Sequence, residues 1–364
     1  MRRAIVRELT TRTQYPSVSI LMPTHPGHPD NQQDPIRLKN LLEEARHRLT
    51  EEVGKRPSWP LMERLEAMSE EIDWRQNQQG IALYASDDFA AWYRLPFPVE
   101  PRVTVDATFE TRDIVYALHR MPRYRVLVLA EQPTRLFEGQ GEDLEEVRNG
   151  QFPIAYTGAP GTTRTPDAPQ MRSSNVREAH LLGFFKEVDE ALTEVARNDR
   201  LPLVVAGTGR SITTFEEVSN NTDDIAVRVE GSYDNSPASA IGQLVWPRFQ
   251  EWLAEQRQLA VREVEDAFGA RWLASGLDEA WQTAKAGQGL QLVVEENYRQ
   301  PAIVHREDWE LELVSEEDAG TGAAHLDDAV DELIEMVLDK GGEVVFVEDG
   351  ALANYGRVAL ILRY

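Results

Sequence analysis

The sequence predicts a mixed α/β (α+β) protein in three parts, and three observations carry that reading. Near-unbroken apolar runs at 124–130 and 201–206 have the composition of strands buried on both faces. Around them lie stretches with apolar residues every three or four positions, and helices that alternate with strands build α/β layers. Two breaks divide the pattern: the proline-rich run 96–101, after which the first part closes between Val105 and Met121, and the polar run 232–237. The expected domains are therefore 1–115, 116–232 and 233–364, each with its own sheet.

The elements follow in chain order. Ser17 to Met22 reads as a strand that exits at Pro23-Thr24-His25-Pro26-Gly27. A helix opens next, with Asp34 as N-cap and Pro35 at its first position, where the missing N–H costs nothing. Ile36, Leu38, Leu41, Leu42, Ala45 and Leu49 fall largely on one, inner face. A second helix covers 61–75, and 80–85 with 90–95 form a hairpin that turns at Ser86-Asp87-Asp88. In the middle part, 124–130 and 135–139 pair as a hairpin. A loop over 150–174 follows, rich in Gly, Pro and Thr and carrying Arg164, Gln170 and Arg172. At roughly 25 residues it far exceeds ordinary connections, and such loops are functional or disordered. A helix from Val176 to about Arg197, with Arg177 near its start, leads into the strand 201–206. The last part holds a long helix at 240–268, helices at 277–286 and 326–338, and strands at 290–294, 343–347 and 357–362. Lys340-Gly341-Gly342 stops the last of these helices.

Composition limits the chemistry. There are 62 acidic residues against 38 basic, a net charge of −24, which suits nonspecific binding to nucleic acid poorly. The chain has no cysteine, which excludes disulfides, thiolate zinc sites and cysteine nucleophiles. The N-terminus lacks the apolar core of a signal peptide, and no run reaches the roughly 18 apolar residues of a membrane span. These features predict a cytoplasmic protein with no membrane partner and no DNA partner.

Candidate motifs are sparse. His25, His28 and Asp30 lie close together but define no further ligand, so no metal is expected. Gly207-Thr208-Gly209-Arg210 after a buried strand lacks both the Gly-x-Gly-x-x-Gly spacing and the Lys-Ser/Thr of phosphate loops, and reads as a strand exit made of glycine. The acid clusters 142–146, 316–318 and 327–332 read as charged helix starts or solvated faces. There is no Gly-x-Ser-x-Gly elbow, no defensible triad and no cofactor motif.

Two stretches resemble a known family. Pro23-Thr24-His25, followed by the run from Gln32 through Asp34-Pro35-Ile36-Arg37-Leu38-Lys39-Asn40 to Leu42, is similar to the N-terminal signature of the bacterial relatives of the archaeo-eukaryotic release factors. The ending, from Gly341-Gly342-Glu343 through Gly356-Arg357 to Tyr364, looks like the C-terminal strands of that family, which is related to Pelota and the eukaryotic and archaeal peptide chain release factors. The resemblance implies an RNase H-like middle domain without nuclease residues. It also implies a C-terminal α/β/α domain like the ribosomal kink-turn-binding proteins.

The implied partners are the ribosome and its RNA, with a translational GTPase or another protein. In release factors the long middle loop carries Gly-Gly-Gln, whose glutamine places water at the peptidyl-tRNA ester. Here Gln170 takes the glutamine's place, but Ala168 and Pro169 stand for the glycines, and proline stiffens the approach. The implied role is occupancy of the ribosomal A site, in rescue or hibernation, without catalysis. RNA contacts are expected from Arg164, Gln170, Arg172 and Arg177, with His25 and Arg37 as further candidates, because guanidinium groups clamp phosphates through paired hydrogen bonds. Two other readings stay open: a stress or adaptor protein that kept the fold and binds a protein partner, and a hydrolase acting on peptidyl-tRNA.

Overall fold

The computed structural model describes residues 3–27, 29–156, 173–197, 199–305, 310–315 and 325–363, without the side chains of 3, 4, 76 and 173–178. The chain is a mixed α/β fold with several sheets, as expected. It forms two compact units: Met1–Arg120 together with Arg257–Tyr364, and Met121–Gln256.

The first unit begins with α1 (Arg3–Thr10), β1 (Ser17–Pro23), α2 (Asp34–Val53), α3 (Lys55–Glu70), β2 (Gly80–Ala85), β3 (Ala90–Leu95), β4 (Arg102–Asp106) and α4 (Arg112–Arg120). The strands make an antiparallel sheet in the order β3-β2-β1-β4. Side chains alternate along β1, as a two-sided strand requires. Val18, Ile20 and Met22 pack with Leu38, Leu42 and Leu65 of the helix pair α2–α3. Leu21 points to the other side and joins a separate core.

The second unit contains β5 (Tyr124–Leu129), β6 (Arg135–Gln140), β7 (Asp143–Glu146), α5 (Ser173–Ala196), β8 (Leu203–Gly207), α6 (Gly209–Glu216) and β9 (Ile225–Glu230), followed by α7 (Ala238–Ala270), whose residues to Gln256 belong here. Its sheet runs β7-β6-β5-β8-β9: an antiparallel meander continued by two parallel strands, the RNase H-like order. One face carries Phe185, Val188 and Phe215 from α5 and α6. On the other, Tyr124 stacks on Phe249 of α7 at 4.4 Å between ring centres. The run 207–210 is indeed a strand exit. Thr208 caps α6, its hydroxyl accepting from the Ser211 N–H at 3.2 Å. The acid cluster 142–146 is not a helix start but the edge strand β7, where Glu146 pairs with Arg135.

The remainder of the first unit holds β10 (Leu273–Ser275), α8 (Leu277–Lys285), β11 (Gly289–Glu295), β12 (Ala302–Val304), β13 (Leu311–Leu313), β14 (His325–Leu326), α9 (Ala329–Asp339), β15 (Glu343–Val347) and β16 (Val358–Leu362). The main sheet is β10-β16-β11-β15, with β11 and β15 parallel, and the three short strands form a second sheet, β13-β12-β14. Helices α8 and α9 cover one face through Trp281, Leu333 and Val337. Ala260 and Val264 of α7 cover the other, giving an α/β/α arrangement. The core under α8 and α9 also contains Val6, Leu9, Leu21, Tyr84 and Phe109, so the first and last parts of the chain share one apolar interior.

Candidate functional site

The sequence candidates fall in two places. Arg164, Gln170 and Arg172 lie outside the described residues, and Arg177 is on α5 with its side chain outside them. Among the described side chains, the structure brings together His25 and Arg37. Their shared partner is Asp34, whose side chain is fully buried. Asp34 accepts from the His25 backbone N–H at 2.9 Å, from Arg37 at 2.9 Å and from Asn77 Nδ2 at 3.0 Å. The His25 ring Nδ1 sits 2.9 Å from Asp34 and 3.1 Å from the Arg37 guanidinium.

Asp34 is therefore not the N-cap that its position suggested. It is the first residue of α2, and its carboxylate ties the exit of β1 and the 77–79 segment to that helix. Thr24 completes the corner by donating to the Gln78 carbonyl at 2.9 Å. His25 and Arg37 each remain more than a third exposed, but both are anchored inward to a buried acid. No metal-binding group of His, Asp or Glu occurs among the described residues.

A second assembly, unmarked by any motif, lies within the first unit. A cavity of about 310 Å³ is lined by Arg48, Arg102 and Arg299 and by six acids: Asp106, Glu110, Asp327, Asp328, Asp331 and Glu332. The acid run 327–332 is thus a charged helix start, one of its two expected roles, and not a solvated face. Asp328 caps α9, accepting from the Val330 N–H at 3.0 Å, and Asp331 is buried. Helix α9 starts at Ala329, three residues later than the periodicity placed it, because this cap sets its first turn.

The arginines are committed to carboxylates. Arg102 Nε donates to both oxygens of Glu110, at 2.7 and 2.9 Å, and the same guanidinium pairs with Asp113. Arg299 reaches Glu110 at 2.6 Å and Asp113 at 3.1 Å. Burial works to raise the Glu110 pKa, but Arg102 and Arg299 outweigh it and hold the carboxyl down to about 2. Asp106 goes the other way: burial lifts it to about 7, against the pull of the Ala107 N–H and with help from Glu332 and Asp327. Burial also raises Glu332, whose carboxylate accepts from Thr108 Oγ1 at 2.6 Å. Such an arrangement stores protons and fastens chain segments. With its guanidinium groups already paired, it offers little to an anion.

The two ends of the chain resemble the release factor relatives, and its middle matches one of their family models. Residues 123–288 match the family model described as Bacterial archaeo-eukaryotic release factor family 3. No curated protein sequence matches. Among solved structures, the chain is similar to archaeal Pelota in a ribosome-bound model with ABCE1, at 17% identity and a TM-score of 0.42, over 79% of this chain and 80% of that one. It is also similar to Saccharomyces cerevisiae Dom34, at 12% identity and a TM-score of 0.39, over 78% and 80% of the two chains. For the archaeal translation termination factor aRF1 the values are 16% and 0.26, over 99% and 96%.

Proposed function

We propose that the protein is a ribosome-associated factor of the release-factor and Pelota type that acts by occupying the A site, in rescue or hibernation, and does not release peptide. The match of residues 123–288 to a release factor family carries the reading. The loop supports its second half, since Ala168 and Pro169 stand where Gly-Gly-Gln needs glycines, and a narrow centre admits backbone most easily without a Cβ. The proposed contacts are Arg164, Gln170, Arg172 and Arg177 to ribosomal RNA, with a translational GTPase or another protein as delivery partner. His25 and Arg37 rank below them because Asp34 already holds both. The division into 1–115, 116–232 and 233–364 and a cytoplasmic location belong to the same reading. No helix among the described residues is long and apolar enough to cross a membrane.

The test is co-sedimentation with ribosomes over a salt series, alongside a peptidyl-tRNA release assay. Specific docking survives moderate salt, whereas nonspecific attachment falls steeply. Arg164→Glu with Arg172→Glu, its folding checked by thermal melt, is expected to abolish co-sedimentation. Retained binding in a well-folded double mutant excludes the loop as the contact. Peptide release that Gln170→Ala abolishes overturns the occupancy reading in favour of hydrolysis. The net charge of −24 favours a second reading, an adaptor or stress protein that binds a protein partner. Absence of ribosome association at every salt concentration selects it.

A further inference from the structure

Helical spacing places Asp331 and Glu335 of α9 one turn apart on the same face. Each side chain is only 6% exposed. Both take their hydrogen bonds from one residue, Thr111, just ahead of α4. Its N–H donates to Asp331 Oδ2 at 3.1 Å. Its hydroxyl donates to Glu335 Oε1 at 2.8 Å and stands 3.5 Å from Asp331 Oδ1. Among the described residues no arginine or lysine pairs with either carboxyl. Arg102 and Arg299 are engaged by Glu110 and Asp113, and Arg112 by Asp328. A single hydroxyl proton and one amide do not solvate two buried anions, so one of the two acids must keep its own proton.

We propose that Asp331 and Glu335 share one proton at neutral pH, and that losing it unfastens the Thr111 end of α4 from α9, making the joint between residues 1–120 and 257–364 a proton-operated clasp. The surroundings reinforce this. Facing the pair are Glu110 from the α4 side, Tyr84 of β2, Asp328 at the cap of α9, and Glu332 and Asp339 on the helix itself. The nearby cations Arg102 of β4, Arg112 of α4 and Arg299 are those already engaged. Asp331 is lifted well above the usual carboxylate range by burial and then by Glu110 and Asp328, and Glu335 by burial and then by Asp331. Once the proton leaves, two adjacent anions repel each other, and Thr111 offers each of them only a single hydrogen bond.

Hydrogen exchange of the intact chain between about pH 6 and pH 8.5, corrected for the intrinsic rate, tests the clasp. Amides at 111–116 and 329–337 should lose protection by up to about tenfold per pH unit, the slope of a single linked proton. Amides of β5 and β8 should show no such change. Glu335→Gln and Asp331→Asn each remove an ionisable partner while keeping its shape, and should flatten the response. Unchanged pH dependence in both variants overturns the assignment. Where neither variant folds, the wild-type profile decides: joint loss of protection at the two segments supports the clasp, and flat exchange overturns it.

Discussion

At the scale of single residues, Arg112 ties together more of the first unit than any motif does. It is 2% exposed and reaches Asp328 at 3.1 Å, the Glu296 carbonyl at 2.7 Å, the Glu295 carbonyl at 3.2 Å and the Tyr298 carbonyl. Arg112→Met keeps much of the side-chain bulk but removes the buried donor of three carbonyls and the close cation of Asp328. Breaking a buried pair on one side costs about 3–5 kcal/mol, so the urea midpoint should fall accordingly without a change in m-value. Lysine is expected to rescue little, because a point charge does not reproduce the guanidinium fork. Neither Arg112 nor Asp34 was legible in its role from sequence. Local patterns compare a residue with neighbours three or four positions away, whereas Arg112 meets Asp328 216 positions on and Asp34 meets Asn77 43 positions on. The sequence does show a carboxylate ahead of an apolar stripe, and a helix cap is the short-range answer to that pattern.

At the scale of elements, two helical glycines behave oppositely. A Cβ at Gly242 of α7 meets the Glu142 carbonyl oxygen at 1.9 Å, so the helix packs directly onto the turn between β6 and β7. Gly183 of α5 has nothing within 4 Å. Thermal melts should show Gly242→Ala destabilising by about 1–3 kcal/mol, from overpacking against backbone. Gly183→Ala should be neutral or stabilising by up to about 1 kcal/mol, from helix propensity alone. The sequence offers no way to tell these glycines apart, because the difference is made by a chain segment a hundred residues earlier. What it did reveal were long, strongly patterned elements: α2, α5, α7, β5, β8, β15 and β16. Strands of two or three residues, such as β12 and β14, have no period to read, and α4 offers only nine residues, four of them charged or histidine. The acids of α9 do mark a helix start, one of the two readings their pattern allowed, but not a solvated face, and the reason is physical. Charge marks a solvated face only when its partners are water, and here they are Thr111, Arg112 and Thr108.

At the scale of the whole molecule, these titrating groups set opposite limits on stability. Glu110 has a folded pKa depressed to about 2, so its contribution is complete above its unfolded value and disappears as pH falls toward 2. Asp106, Glu332, Asp331 and Glu335 have raised folded values, so their contributions are complete below the unfolded carboxylate range and disappear as pH rises, through about 7 for Asp106. Tm is therefore expected to peak near the unfolded carboxylate range, at about pH 4–5, and to decline on both sides. Asp106→Asn should lift the alkaline limb near neutrality and leave the acid limb unchanged. A Tm that rises steadily from pH 5 to pH 8 contradicts this assignment.

The shared interior of the first unit has a further consequence, for the order in which the chain comes off its own ribosome. Leu9, Leu21 and Tyr84 are synthesised long before Trp281, Leu292 and Leu333, the residues that cover them, and the whole of 121–256 is made in between. The middle unit, Met121–Gln256, is compact by itself and is complete in the chain before the covering residues are made. The opening residues must hold part of their apolar face unburied until more than two hundred later residues have followed. Residues 1–120 thus carry unburied apolar surface until 257–364 arrive, and such transiently exposed surface is what makes an incomplete chain prone to aggregate.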